Sequence, residues 1–190
     1  MHSNKGKIRI IAGEYRGRKI AVPDRPGLRP TPDRVRETLF NWLGQSLDGL
    51  TCLDLFAGSG ALGFEAASRG AARVVMVEQD RAAYEALRST RELLKARQID
   101  LVLDDAFAYL GKTSDTFDVV FLDPPFRQNA LPAVFRALKP KRGMRVYVES
   151  GEPAAPGAAW RELKRSRAGQ VSYQLLEWRG DDQGGLSGNV

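Results

Sequence analysis

Between Leu50 and Gly70 the chain passes from an apolar run through a glycine turn into helix-forming residues, and this passage restricts the folds open to it. Leu50–Phe56 is short and apolar, as a buried strand is. Ala57-Gly58-Ser59-Gly60 breaks it, Ala61–Arg69 has the composition of a helix, and Gly70 suits its C-terminal cap. Glycine reaches positive φ and leaves no Cβ between backbone and ligand. The amides that open the following helix carry partial positive charge, so a ligand with oxygens or a polar amino-acid end suits the turn. Gly58, Gly60 and Gly63 match G-x-G-x-x-G, and Glu78 follows at the offset of a ribose-binding acid. Taken alone, the stretch admits a dinucleotide, another adenosine cofactor, or a plain tight turn.

The rest of the chain alternates strand and helix. Strands are expected at Arg73–Glu78, Leu101–Leu103, Phe117–Leu122 and Arg145–Glu149. Helices are expected at Asp80–Arg97, with Tyr84, Leu87 and Leu94 inward, at Ala106–Leu110 and at Leu131–Leu138. This is the pattern of a parallel sheet with crossover helices. Two further strands, Trp160–Ser166 and Val171–Trp178, close the series. Asp54, Glu78, Asp105 and Asp123 all fall near strand C-termini, the edge that lines the ligand crevice of such a sheet. Carboxylates there need donors, because burying them unpaired is costly.

A hydrophobic content of 43% in 190 residues allows a sizeable core. No apolar run approaches the roughly 20 residues of a membrane helix, and the N-terminus has no apolar segment of a secretory signal. The single cysteine, Cys52, lies in the first sheet strand and is expected to pack as a small apolar side chain, which fits a cytoplasmic protein. Charge is unevenly placed. Residues 1–36 hold ten basic and three acidic residues, a surplus of +7, against −1 over the other 154. That asymmetry suits a body with a polyanion-binding arm. Lys7–Ala12 and Tyr15–Val22 read as a basic β-hairpin, and 23–32 as a proline-rich linker. A helix then starts with Thr31 as its cap, Pro32 at its first position and Asp33 at its positive end. Val35, Leu39, Trp42 and Leu43 form its buried stripe, with Arg34 and Arg36 off it, either solvated or in contact with nucleic acid or a cofactor carboxylate. His2, at a frayed terminus, has no assigned role, and 181–190 is polar, glycine-rich and expected to be disordered.

Asp123-Pro124-Pro125-Phe126 is the most specific signal. Two prolines fix the backbone as it leaves its strand. Asp123 and the Pro124 carbonyl then offer two acceptors to a planar exocyclic amine while Phe126 stacks on its ring. With this loop, the sequence resembles S-adenosylmethionine-dependent methyltransferases of exocyclic nitrogens, and is most similar to the bacterial RsmD family of 16S rRNA guanine-N2 methyltransferases. The resemblance spans about residues 7–178 and is carried by residues 8–13, Arg16-Gly17-Arg18-Lys19, the run from Leu28 to Leu43, the glycine turn, Asp123–Phe126, Tyr147-Val148-Glu149-Ser150 and Ala168-Gly169-Gln170-Val171.

The resemblance implies an α/β, Rossmann-like class I fold with about seven mostly parallel strands, the last antiparallel, and a small basic N-terminal hairpin. Its parts would be an arm and linker over 1–30, a methyltransferase domain over 31–180 and the tail 181–190. It implies that Asp54, Ala57, Gly58 and Gly60 cradle the methionine end of S-adenosylmethionine, that Glu78 takes the ribose hydroxyls, and that Asp105 and the Ala106 amide hold the adenine edge. Asp123, Pro124 and Phe126 would hold the guanine, numbered 966 in the family's rRNA. Arg9, Arg16, Arg18, Lys19, Arg29 and Arg34 would meet RNA phosphates. The partner would be 16S rRNA or a small-subunit assembly particle, with no metal, no membrane and a monomeric enzyme. Four other readings explain less. A DNA amino-methyltransferase needs a larger target-recognition region, and a protein glutamine methyltransferase typically starts its loop with Asn. An NAD-dependent oxidoreductase leaves Asp123–Phe126 and the arm unexplained, and a non-catalytic RNA-binding module leaves the strand-end acids so.

Overall fold

The computed structural model describes residues 6–22, 31–124 and 130–180. Lys7–Arg9 (β1) and Lys19–Ala21 (β2) pair as an antiparallel ribbon, and Asp33–Leu43 (α1) follows. From there strand and helix alternate: Thr51–Asp54 (β3), Ala61–Ser68 (α2), Arg73–Glu78 (β4), Arg81–Leu94 (α3), Ile99–Leu103 (β5), Ala106–Lys112 (α4), Val119–Leu122 (β6), Leu131–Ala137 (α5), Arg145–Ser150 (β7), Trp160–Ala168 (β8) and Val171–Trp178 (β9). The five helices are those expected, in order, with ends moved by a few residues.

Seven strands form one sheet in the order β5-β4-β3-β6-β7-β9-β8. β5, β4, β3, β6 and β7 are parallel, and β9 runs against both of its neighbours. β3, β4, β6 and β7 are buried on both faces, since successive side chains point to opposite sides and helices cover each. Cys52, Val74, Met76, Val119, Phe121 and Tyr147 face a core shared with α1, α2 and α3. Leu53, Val75, Val77, Val120, Val146 and Val148 face the other, closed by α4 and α5. The order reverses at β3 and β6, which are direct neighbours with Asp54 opposite Phe121. Their C-terminal ends therefore open on the crevice where ligands bind in such sheets.

The basic hairpin is built into the first of these cores. Ile8, Ile10, Tyr15, Ile20 and Val22 are buried in it. Its strands are shorter than the sequence suggests, because Gly13 and Gly17, both at φ +81°, turn the chain between them. The Gly13 turn sits directly on the end of α2. There the Glu14 amide donates to the Ser68 carbonyl at 2.8 Å, and the Tyr15 amide donates to Ser68 Oγ at 2.9 Å. Glu65, fully buried on the same helix, accepts the amides of Ile11 at 2.8 Å and Ala12 at 3.1 Å.

Two expectations for α1 are corrected. Arg36 is not off the buried stripe but fully buried. It donates to Asp33 at 2.5 Å and to the Arg9 carbonyl at 2.9 Å, and pairs with Glu65 at 3.5 Å. A charge enters this core because two carboxylates and a carbonyl meet it there. Thr31 does not cap the helix: Pro32 stands at the cap position with no side-chain bond, and the Thr31 hydroxyl is committed elsewhere. Trp42 is half-buried and stacks on Tyr173, with ring centroids 5.5 Å apart. Tyr84 is likewise half-buried.

Candidate active site

Backbone geometry at the turn after β3 explains its glycines. Gly58 has φ +52° and Gly60 φ +80°, where a side chain is strained. A Cβ on Gly60 would lie 2.6 Å from Leu87 and Phe64, and one on Gly63 2.8 Å from Met76. The turn is tied to its surroundings by the Ala57 amide, which donates to the Val77 carbonyl at 2.9 Å. The Gly58 amide donates to Glu78 Oε2 at 2.8 Å. Glu78 Oε1 accepts the Asp80 amide at 2.8 Å. Both oxygens of Glu78 are thus oriented by backbone while keeping a lone pair each, as an acceptor for a diol requires.

Asp54 ends β3 and is buried. Its Oδ2 accepts the Gly63 amide at 2.9 Å. Burial pushes its carboxyl up to about 7 despite that bond, and the charge of Glu78 adds to the rise. Asp105, exposed after β5, caps α4 by accepting the amides of Phe107 at 2.9 Å and Ala108 at 3.1 Å through Oδ1. Ala106 opens that helix, so its amide points out of the helix start. The exposed side chains of Leu103 and Phe107 flank it.

Asp123 follows β6 directly and Pro124 is buried. Burial raises the Asp123 carboxyl well above the usual carboxylate range, and the charges of Glu149 and Asp54 add to this. Glu149 lies near the end of the neighbouring strand β7 and is buried. Its Oε1 accepts the Thr31 hydroxyl and the Tyr147 hydroxyl, each at 2.9 Å. Burial raises Glu149 as well, held back by those two donors, Tyr147 first. Thr31 and Tyr147 were assigned no site role from sequence, nor was Glu149. Glu149 is nonetheless an acid at a strand end, the same signal that marked the other four. Thr31 carried no such signal, since its partner is 118 residues away. A groove of about 1090 Å³ runs on from Pro124 and Glu149, walled by Leu131, Phe135, Trp160 and Trp178.

The crevice thus gathers Asp54, Ala57, Gly58, Gly60, Glu78, Asp105, Ala106, Asp123 and Pro124 at one edge of the sheet. Phe126 and Arg29, and with Phe126 the second proline of the loop, lie outside the described residues. Arg9, Arg16, Arg18 and Lys19 are exposed on the hairpin and Arg34 on α1, none in an ion pair among the described residues. No group of His, Cys, Asp and Glu among the described residues is arranged to hold a metal ion, and no helix there is long and apolar enough to cross a membrane.

A protein-family model described as "Conserved hypothetical protein 95" matches residues 8–177. The chain is 46% identical over 184 residues to ribosomal RNA small subunit methyltransferase D of Escherichia coli, covering 93% of this chain and 92% of that protein. It is 42% identical over 183 residues to the protein of the same name from Haemophilus influenzae, covering 91% and 95%. Among solved structures, a putative methyltransferase from E. coli superposes with a TM-score of 0.82 at 43% identity, over 92% of this chain and 99% of that one. A putative methylase from H. influenzae does so at 0.78 and 37%, over 92% and 100%.

Proposed function

The chain belongs to the family described as Conserved hypothetical protein 95, with the curated ribosomal RNA small subunit methyltransferases D among its relatives, and we propose from its own geometry how it works. It is an S-adenosylmethionine-dependent rRNA methyltransferase. Its target is the exocyclic N2 of a guanine in 16S rRNA, guanine 966 in the family's numbering. It acts as a cytoplasmic monomer on the rRNA or on an assembling small subunit. One observation carries the reading: β3 and β6 are direct neighbours, so the glycine turn and Asp123 leave the sheet side by side.

The crevice fits the cofactor. The Gly60 position leaves no room for a side chain, Glu78 presents two backbone-oriented oxygens, and Asp54 presents a buried acceptor. When bound, S-adenosylmethionine supplies a methyl already activated by its sulfonium charge. Asp54 and the amides of Ala57, Gly58 and Gly60 serve its amino-acid end, Glu78 the ribose, and Asp105 with the Ala106 amide the adenine. Asp123 and the Pro124 carbonyl accept the two N–H bonds of the guanine amine. That aims the nitrogen lone pair and stabilises the positive charge that grows on it. Placement of the amine contributes up to roughly 7–11 kcal/mol to lowering the barrier. Phe126 replaces the stacking that the base loses when it leaves its helix. Arg9, Arg16, Arg18, Lys19, Arg29 and Arg34 hold phosphates and fix register without reading sequence. The test is Asp123→Ala: turnover on 16S rRNA is abolished while calorimetric affinity for S-adenosylmethionine stays near wild type. Loss of that affinity, or retained methylation, overturns the assignment.

A further inference from the structure

We propose that Glu149 is a positioning residue for the reaction: beside Asp123 on the neighbouring strand, it sets the basicity of the carboxylate that takes the proton from the target amine. The proposal rests on the placement of Asp123 at the amine given above. Leu122 pairs with Val148, so Asp123 and Glu149 follow side by side from β6 and β7, while Thr31 and Tyr147 each donate to Glu149 Oε1 at 2.9 Å. Three elements converge here: the segment before α1, the end of β6 and the end of β7. The titratable groups around them are Asp54 from β3, whose charge raises Asp123, Tyr147 from β7, which donates to Glu149, and Tyr173, opposite Glu149 in the register of β9. No cation acts on Asp123 or Glu149 among the described residues.

The asymmetry of the pair fixes its direction. Glu149 has two hydroxyl donors on one oxygen, which favour its charged form. The Thr31 proton is committed to Glu149, while burial and the charge of Glu149 raise Asp123. Glu149 therefore ionises first, and its negative charge makes Asp123 the stronger base. In the reaction the N2–methyl bond forms as the sulfur–methyl bond breaks. One amine N–H bond then breaks with its electron pair left on nitrogen, and its proton forms an O–H bond on Asp123. The positive charge that arrived with the methyl leaves with that proton. A carboxylate of ordinary basicity accepts it less readily, so removing the charge of Glu149 weakens the base.

The experiment follows the Asp123 carboxyl by ¹³C NMR in full-length protein carrying ¹³C-labelled aspartate, assigned by its loss in Asp123→Asn. The pH profile of kcat on 16S rRNA runs in parallel. Glu149→Gln keeps an acceptor for Tyr147 and Thr31 but removes the charge. Its Asp123 midpoint moves to lower pH, the acid limb of kcat moves with it, and plateau kcat falls on the order of tenfold. KM for S-adenosylmethionine stays unchanged. Thr31→Val, which removes a donor that holds Glu149 charged, moves the Asp123 midpoint the same way by a smaller amount. An unmoved midpoint in folded Glu149→Gln overturns the proposal. Should that variant fail to fold, an unmoved midpoint in Thr31→Val does the same. Activity retained in Asp123→Asn would instead refute the placement of the amine, and leaves the NMR result standing by itself.

Discussion

Gly13 and Gly17 share a φ of +81° yet have opposite surroundings, and this makes a matched test of how the hairpin is held. A methyl group on Gly17 meets nothing within 4 Å. Gly17→Ala therefore carries only the left-handed backbone penalty, about 1–2 kcal/mol. A methyl on Gly13 would fall inside the carbonyl of Ser68 and 2.8 Å from its Oγ. Backbone cannot give way there as a flexible side chain does, so the turn must lift off α2. Lifting breaks the Glu14 and Tyr15 amide bonds to Ser68 and the Ser68 hydroxyl bond to the Ala12 carbonyl. At about 1 kcal/mol net for each, Gly13→Ala should lose about 4–5 kcal/mol in all. That is a large share of the 5–15 kcal/mol typical of a folded domain. Urea unfolding followed by the fluorescence of Trp42, Trp160 and Trp178 reads both variants, with unchanged m-values required for the comparison. Equal losses in the two, within about 0.5 kcal/mol, would refute the claim that the hairpin is seated on Ser68.

Three further outcomes are expected. Asp54 is raised to about 7 when folded, from 3.8 unfolded. Its protonated form therefore favours the fold fully below about 4, and this contribution fades as pH rises through about 7. At an upper bound of about 4 kcal/mol by linkage, Asp54→Asn should flatten the stability–pH curve of the free protein over that window. An unchanged slope would show that Asp54 is ionised throughout. Arg16→Glu with Arg18→Glu should weaken rRNA binding and cut the salt slope by about two, with cofactor affinity unchanged; filter binding across a salt series decides it. Cys52 is fully buried and burial pushes its thiol up to about 12, so a disulfide reagent at pH 8 should label it only on unfolding. Stoichiometric labelling of the native protein would contradict its packing.

The parallel strands were legible in the sequence because each is a largely apolar run closed by an acid. Arg73–Glu78 has the same ends in both readings. The acids at the crevice were legible for the same reason. Other features escape a local reading. Arg36 stands three and four residues from Leu39 and Phe40, squarely on the helical stripe, but its charge placed it outside; only the distant Glu65 and the Arg9 carbonyl explain its burial. Thr31-Pro32-Asp33 has the pattern of a helix start, and the Thr31 hydroxyl goes instead to Glu149 across the fold. The hairpin is basic on one side and apolar on the other. Charge alone suggests a free arm, while Ile8, Ile10 and Ile20 root it in the core. Truncating residues 1–22 would therefore strip core side chains along with the arginines, and single substitutions separate the two.

The helix α2 has different business at each end. Gly60 and Gly63 at its start shape the crevice, and the Gly63 amide binds Asp54, while Glu65 and Ser68 in its later turns hold the hairpin. Eight residues of helix are about 12 Å of stiff rod. On the proposed assignment, with phosphates on the hairpin and the methyl donor at the other end, the rod would act as a gauge. Only a nucleotide a set distance from the gripped backbone would reach the donor, so selection of the target would begin with a length measured by the protein before any base is read.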